Sequence, residues 1–497
     1  MNIEVIEKDL LLEGLLQYNY FPAQKKDKEE IPPIINSLTF SVDTANKLKN
    51  LPLRSGGYDQ VEYRSTKFNN ISRVLSIPHP VPYSKLCYSI YDNWDQFKYI
   101  TQSSTSLVTP KIHSDGRILV MDYENSQESI ERQLQLGFGK KFFVETDISN
   151  FYPSVYSHSI PWALVGFDYS KINRDSKFWF NRIDKFQRAL KRDETNGLPI
   201  GPATSNILSE AILGKIDAIL IADGFKFIRY IDDYKAYCDT YEEGEKFIRR
   251  LCEELSNYKL LLNSRKTLIE HSPFPTNVEW ITDLNTRLST NDTHITRFIR
   301  YLDYAIFKQG ENPDGSVLKY AAKTVVSMVE KENSVLVLKY LLGLCIKFPI
   351  LIPLLMNLFK NNEPFDRFEY ADQLLTILDE HAINRRSDAM VWILYYLNKY
   401  DQEISSQTGK IILDSKDCIS ILMLYLSSQF DKKVIEFCDG LNKDDIYLLD
   451  QYWLLLYQLF FDGKIQNPYK DTSKVEFDTL KTDNVTFVID PEEFLPF

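Results

Sequence analysis

The chain has 497 residues, 44% apolar and 26% charged, which makes it too long for one ordinary core and too apolar for a disordered chain. A net charge of −11 excludes a surface coated with nucleic-acid contacts and leaves room only for a local basic groove. The six cysteines, at 87, 238, 252, 345, 418 and 438, form no CxxC or Cys/His cluster, which argues against structural zinc and a disulfide framework.

In chain order, Glu4 to Tyr18 reads as a short amphipathic helix, followed by a polar stretch from Lys25 to Glu30 and a turn at Pro32-Pro33. No basic segment leads into an apolar one near Met1, so no secretory leader is expected. Residues 1–55 form an N-terminal helical segment, and 56–285 mix short apolar runs with helical patterns. Within that middle segment, Lys141 to Ile148 and Phe225 to Ile231 read as strands. Asp175 to Lys191, Thr204 to Ala222 and Tyr241 to Tyr258 read as helices. From residue 290 to 497 apolar residues recur at helical spacing in blocks, at 296–308, 317–331, 334–347, 350–360, 370–380, 387–400, 416–428, 433–438 and 446–461. Short polar or Gly/Pro/Asn breaks divide the blocks, the pattern of an all-α, HEAT-like helical-repeat domain. The most apolar stretch, Val335 to Phe359, is interrupted by Lys339, Lys347, Pro349 and Pro353, which suits a buried helical hairpin and not a membrane span. A cytoplasmic location and no membrane partner are expected. The tail from Asn484 carries a β-like run, VTFVI.

The sharpest chemical feature is Tyr230-Ile231-Asp232-Asp233-Tyr234. Two carboxylates directly after an apolar strand are costly near a core unless a cation compensates them. Asp147 ends the apolar run Phe142-Phe143-Val144 at a similar strand-to-loop position, and oxygen donors of this kind suit Mg²⁺. Two such ions can activate a hydroxyl and stabilise a departing pyrophosphate.

These residues belong to an ordered set. From about 60 to 270 the chain resembles reverse transcriptases. Thr146-Asp147-Ile148-Ser149-Asn150-Phe151-Tyr152 looks like motif A, and Asn196 to Pro202 looks like motif B, a glycine-permitted turn. Tyr230 to Asp233 looks like motif C and Leu262 to Lys266 like motif D. The resemblance implies an α+β polymerase core of fingers and palm, the palm an antiparallel sheet. It implies that Asp147, Asp232 and Asp233 hold two Mg²⁺ (Mn²⁺ as an alternative), with the Ile148 carbonyl as a further ligand. Tyr152 stands where the family rejects a ribose 2′-hydroxyl. Gly197, Pro199 and Gly201 shape the nucleotide pocket, and Lys266 assists the leaving group. Motif B departs from the family at Ile200, which takes the place of a Gln, and at Pro202-Ala203 after Gly201.

A narrower resemblance accounts for the departure. The run Asn150 to Trp162 (NFYPSVYSHSIPW), the stretch Ile77-Pro78-His79-Pro80 and the long helical region are similar to abortive-infection reverse transcriptases of bacterial phage defence. That similarity implies untemplated DNA synthesis from dNTPs, primed by a protein tyrosine, in a homo-oligomer whose single-stranded product stays attached to the protein. Two other readings compete with it. One is a conventional template-dependent reverse transcriptase with an RNA partner, and the other is an interaction scaffold with a vestigial core.

Further candidates are local. Arg182, Lys185 and Arg188 share a helix face that could track phosphates or simply meet solvent. Among Arg64, Lys67, Arg73, Lys111 and Arg117, the turn Ser114 to Arg117 resembles a fingertip hairpin, which favours Arg117 as the triphosphate contact. His158 has no triad near it in sequence, so a structural hydrogen bond is its expected role. Glu145 shares a strand face with Asp147 and is a candidate second partner there. Thirty tyrosines leave the priming residue unassigned, with Tyr18 and Tyr20 near the N-terminal segment as the first guesses.

Overall fold

The computed structural model describes residues 8–22, 30–67, 70–120, 126–274, 278–288, 294–313, 316–361 and 367–490. The Lys25–Glu30 polar stretch lies almost entirely outside these residues, and the residues after 490 lie wholly outside them.

Among the described residues six strands form two sheets. β1 (Gln60–Thr66) and β2 (Ser72–Pro78) make an antiparallel hairpin. β3 (Phe142–Asp147), β4 (Phe227–Tyr230), β5 (Asp233–Cys238) and β6 (Leu268–His271) make an antiparallel sheet in the order β4-β5-β3-β6. One face of this sheet is covered by the helix Tyr241–Asn257, which also packs on the helix Ala203–Ala222. Gly244 permits the approach. A Cβ there would lie 3.2 Å from Val144 and 3.3 Å from Ile269, both on the sheet. The helix Ala203–Ala222 is apolar nearly all round, the mark of a helix buried on most sides, and thirteen of its twenty residues are buried.

Among the described residues every regular element after residue 290 is helical, as the periodicity predicts, and the helix Glu279–Arg287 precedes them. Two breaks are finer than the sequence shows. Pro349–Leu354 forms a 3-10 turn before the helix Leu355–Asn361, because Pro353 cannot continue an α-helical ladder. The 446–461 block is split at Tyr452 into Ile446–Gln451 and Trp453–Phe461. The tail run VTFVI is not a strand. It contributes a single bridge, Val488 to Ile35, and buries Val485 and Phe487.

The helical array folds back on the beginning of the chain. β1 packs on the helices Ser387–Lys399, Cys418–Leu426, Ile446–Gln451 and Trp453–Phe461. Asp388 accepts hydrogen bonds from the Thr66 amide (2.7 Å) and hydroxyl (3.0 Å), and the Trp453 indole donates to the Ile77 carbonyl (3.1 Å). The Asn36 amide bonds the Phe487 carbonyl (3.0 Å) and the Ile489 amide bonds the Ile34 carbonyl (2.9 Å). Buried side chains from all three segments form one contiguous apolar cluster.

Candidate active site

Strand pairing alone assembles most of the acidic site. β3 ends on Asp147, whose register partner on β5 is Asp233, so the two carboxylates face each other across the sheet end. Asp232 lies in the two-residue turn joining β4 to β5, and its carbonyl accepts from the Ile148 amide (3.2 Å). The other turn residue, Ile231, is left-handed at φ +56°, an uncommon and strained conformation for a β-branched side chain.

Electrostatics follow from that crowding. Burial, then the neighbouring Asp233 charge, pushes the Asp232 carboxyl up to about 6. Burial also raises Asp233. Lys266 donates to Asp147 Oδ2 at 2.6 Å, and this bond raises the lysine. The loop that carries Lys266 is tied to the end of β3 by backbone bonds from Asn263 to the Asp147 carbonyl (2.9 Å) and from Ser149 to the Leu261 carbonyl (2.8 Å). Asp147 Oδ1 is buried and has no hydrogen-bond partner. An orphaned buried carboxylate oxygen beside two crowded carboxylates fits a divalent cation bound through oxygen. Among the described residues no three His, Cys, Asp or Glu side chains gather tightly enough to enclose an ion. Mg²⁺ ordinarily completes its shell with substrate phosphates and water, so an open set of this kind suits it.

The segment read as motif A is joined by backbone hydrogen bonds to the segment read as motif B. The Leu198 amide bonds the Tyr152 carbonyl (2.8 Å) and the Gly197 amide bonds the Val155 carbonyl (2.8 Å). Gly197 (φ +91°) and Gly201 (φ +133°) supply the turn, and Pro199 is buried within it. Tyr152 is buried, and its hydroxyl donates to Asn206 Oδ1. Burial raises its phenol, with Glu210 and Asp232 adding and Arg73 opposing. At the departure point, the Ile200 carbonyl accepts from the Ser76 amide on β2 (2.8 Å), so the turn is held by backbone.

Residues 83–306 match the family described as reverse transcriptase (RNA-dependent DNA polymerase). They form a reverse transcriptase domain. The match supports a DNA polymerase-like nucleotidyltransferase for this domain, whose antiparallel sheet is followed by a helical region. No curated protein matches the chain. Among solved structures it is similar to apo telomerase from Candida Tropicalis, at 10% identity and a TM-score of 0.32 over 86% of this chain and 76% of that one. For the same telomerase truncated from its C-terminal domain the values are 11% and 0.30, over 46% of this chain and 52% of that one. The chain thus spans about half the length of that structure. Telomerase from Candida albicans matches at 13% and 0.29, over 80% of this chain and 67% of that one.

Outside the acidic centre of the reverse transcriptase domain, the sequence candidates divide. Arg117 does lie in a tight turn, closed by His113 N to Arg117 O at 2.8 Å. Its guanidinium, however, is engaged by Asp115 (2.7 Å) and only 11% of the side chain is exposed. Of the early cations, Arg73 on β2 lies near enough to Tyr152 for its charge to oppose the rise of the phenol. Arg188 is engaged by Asp184 (3.3 Å) and Asp193 (3.5 Å), which leaves Arg182 and Lys185 as the exposed cations of their helix. His158 bonds Asp184 at 2.9 Å, the structural role expected of it. Glu145 pairs with Lys235 (3.2 Å). Tyr20 is corrected as a priming guess. It is fully buried, stacked on Tyr83 at 4.0 Å, with its hydroxyl given to the Pro78 carbonyl. Tyr18 is half-buried against Gly116.

Sequence reasoning missed the support beneath the Asp232 turn. Arg229 is fully buried and donates to both Glu210 oxygens (2.7 and 2.9 Å), to Asp217 (2.8 Å) and to the Ile231 carbonyl (2.7 Å). The Tyr234 hydroxyl completes the cluster at Asp217 (3.1 Å). A signal existed. Glu210 and Asp217 are seven apart on one face of an otherwise apolar helix, and buried carboxylates require a cationic partner.

Proposed function

We propose that the reverse transcriptase domain makes DNA from dNTPs without a template, primed on a protein tyrosine, as in abortive-infection phage defence. The observation that carries the catalytic part is the Asp147–Asp233 register with Asp232 on the adjoining turn, beside the orphaned Asp147 oxygen. Asp147, Asp232 and Asp233 would hold two Mg²⁺, with the Ile148 carbonyl assisting. When bound, the ions supply activation of the attacking hydroxyl and neutralisation of the leaving pyrophosphate. Lys266, already aimed at Asp147, gives its proton to that pyrophosphate. Tyr152 closes the pocket floor where a 2′-hydroxyl would stand, and Arg73 meets the triphosphate.

Three features support the untemplated reading. Apolar Ile200 replaces a polar residue in the turn beside the nucleotide, the chain is acidic overall, and the helical region brings no basic extension. A homo-oligomer with its single-stranded product covalently attached belongs to the same reading. The test is to incubate pure protein with labelled dNTPs and Mg²⁺, with and without primer–template. Nuclease-sensitive label on the protein band without any added nucleic acid is expected. Incorporation only with primer–template would overturn the untemplated reading, and full activity in Asp232→Asn or Asp233→Asn would overturn the metal assignment.

A further inference from the structure

A polar cavity of about 380 Å³ lies where β1 meets the helical array. Its walls come from β1, from the junction between the helices Ser406–Ser415 and Cys418–Leu426, and from the end of Ile446–Gln451. None of these elements carries the carboxylate site. We propose that this cavity binds a nucleoside phosphate, as a site separate from the polymerase centre and independent of how that centre is used.

The charge is arranged for an anion. Arg64, Arg385 and Lys416 line the cavity and are solvent-exposed, and among the described residues the carboxylates that line it are Glu62 and Asp417. Asp417 is already engaged, since it accepts from the Ser420 amide (2.8 Å), the Ser420 hydroxyl (2.6 Å) and the Ser387 hydroxyl (2.5 Å). Glu62 is 3.6 Å from Arg64 alone. Arg385 and Lys416 both stand at left-handed positions, φ +52° and +58°, just after a helix. Glycine or asparagine is the usual choice there, so two long cations occupy places where a side chain costs backbone energy.

A bare phosphate would not use the rest of the wall. Gln60 is 5% exposed, lines the cavity, and has a buried Oε1 without a hydrogen-bond partner. An amide in that state calls for a ligand able to donate, such as a sugar hydroxyl or the amino edge of a base. Tyr452 and Leu448 supply an apolar surface beside it. The Tyr452 ring is fixed by its hydroxyl bond to the Lys416 carbonyl (2.8 Å). Cations, an unsatisfied amide and an aromatic wall, in a space within the range that holds small ligands, together describe a nucleotide.

Isothermal titration of the full chain with deoxyadenosine diphosphate in EDTA tests this. One binding event is expected, weakened about tenfold or more in Arg385→Ala/Lys416→Ala and unchanged in Asp232→Asn. Gln60→Leu should weaken the nucleotide while leaving pyrophosphate binding as it was. Absence of binding would overturn the proposal, as would a loss caused by Asp232→Asn and not by the cation pair. Pyrophosphate binding as tightly as the nucleotide would reduce the cavity to an anion site and overturn it too, and so would binding of single-stranded oligonucleotide alone.

Discussion

Replacing Arg229 with methionine removes the cation that, among the described residues, pairs with both Glu210 and Asp217. Stranding one buried charge in this way costs about 3–5 kcal/mol, and two carboxylates placed on one guanidinium put the expected loss at the upper end. Against a total stability of about 5–15 kcal/mol, this is a large fraction. The same side chain holds the Ile231 carbonyl in a strained turn, so its removal also frees the backbone that presents Asp232. The two effects separate. Adding Glu210→Gln and Asp217→Asn neutralises the stranded carboxylates and should restore much of the urea unfolding midpoint, while nucleotide incorporation stays low. A midpoint for Arg229→Met within about 0.5 kcal/mol of the parent would refute the energetic reasoning. Full activity in the triple variant would show that the turn holds its shape without Arg229.

Other outcomes follow from single contacts. Tyr152→Val should lower discrimination against ribonucleotides by about 10- to 100-fold in competition assays, and unchanged selectivity would remove Tyr152 from the pocket. Gly201→Ala adds a Cβ 2.7 Å from Pro22 and 3.2 Å from the Ser76 carbonyl at φ +133°, so a loss of about 1–3 kcal/mol is expected by denaturant titration. Burial pushes Glu476 up to about 7 from an ordinary 4.5. Its protonated form is favoured in the folded state, so folding takes up a proton between those values and stability falls as pH rises from about 4.5 to 7. Glu476→Gln should flatten that slope, and an equal slope in both proteins would contradict the assignment. A chain ending at residue 288 should fail to give a cooperative unfolding transition, because β1 and β2 would lose the helices that cover them.

The acidic centre was legible because its residues lie in short contiguous motifs at strand ends, where alternation and apolar runs mark β3 and β4. The β1–β2 hairpin was not, since its alternation of buried Val61 and Tyr63 with exposed Glu62 and Arg64 spans only four residues before the polar run Ser65-Thr66. The helices Glu279–Arg287, Ser406–Ser415 and Asp471–Thr482 escaped for a related reason, being short and largely polar outside one narrow stripe. VTFVI has strand propensity but finds only one bridging partner, and burial of Val485 and Phe487 decides its conformation. Arg117 looked free in sequence because a two-residue contact with Asp115 depends on how the turn closes.

The bond between Ile489 and Ile34 has a consequence for how the protein comes to exist. A ribosome delivers the first half of the chain long before the second, and contacts so distant in sequence form last. The hairpin that carries Arg73 stays without its cover until the final helices have emerged. Asp147, Asp232 and Asp233 are all made early, whereas the segment that pairs with residues 34 to 36 is made last. A partly synthesised chain therefore leaves the amide and carbonyl groups of residues 34 to 36 without these partners until the last segment arrives.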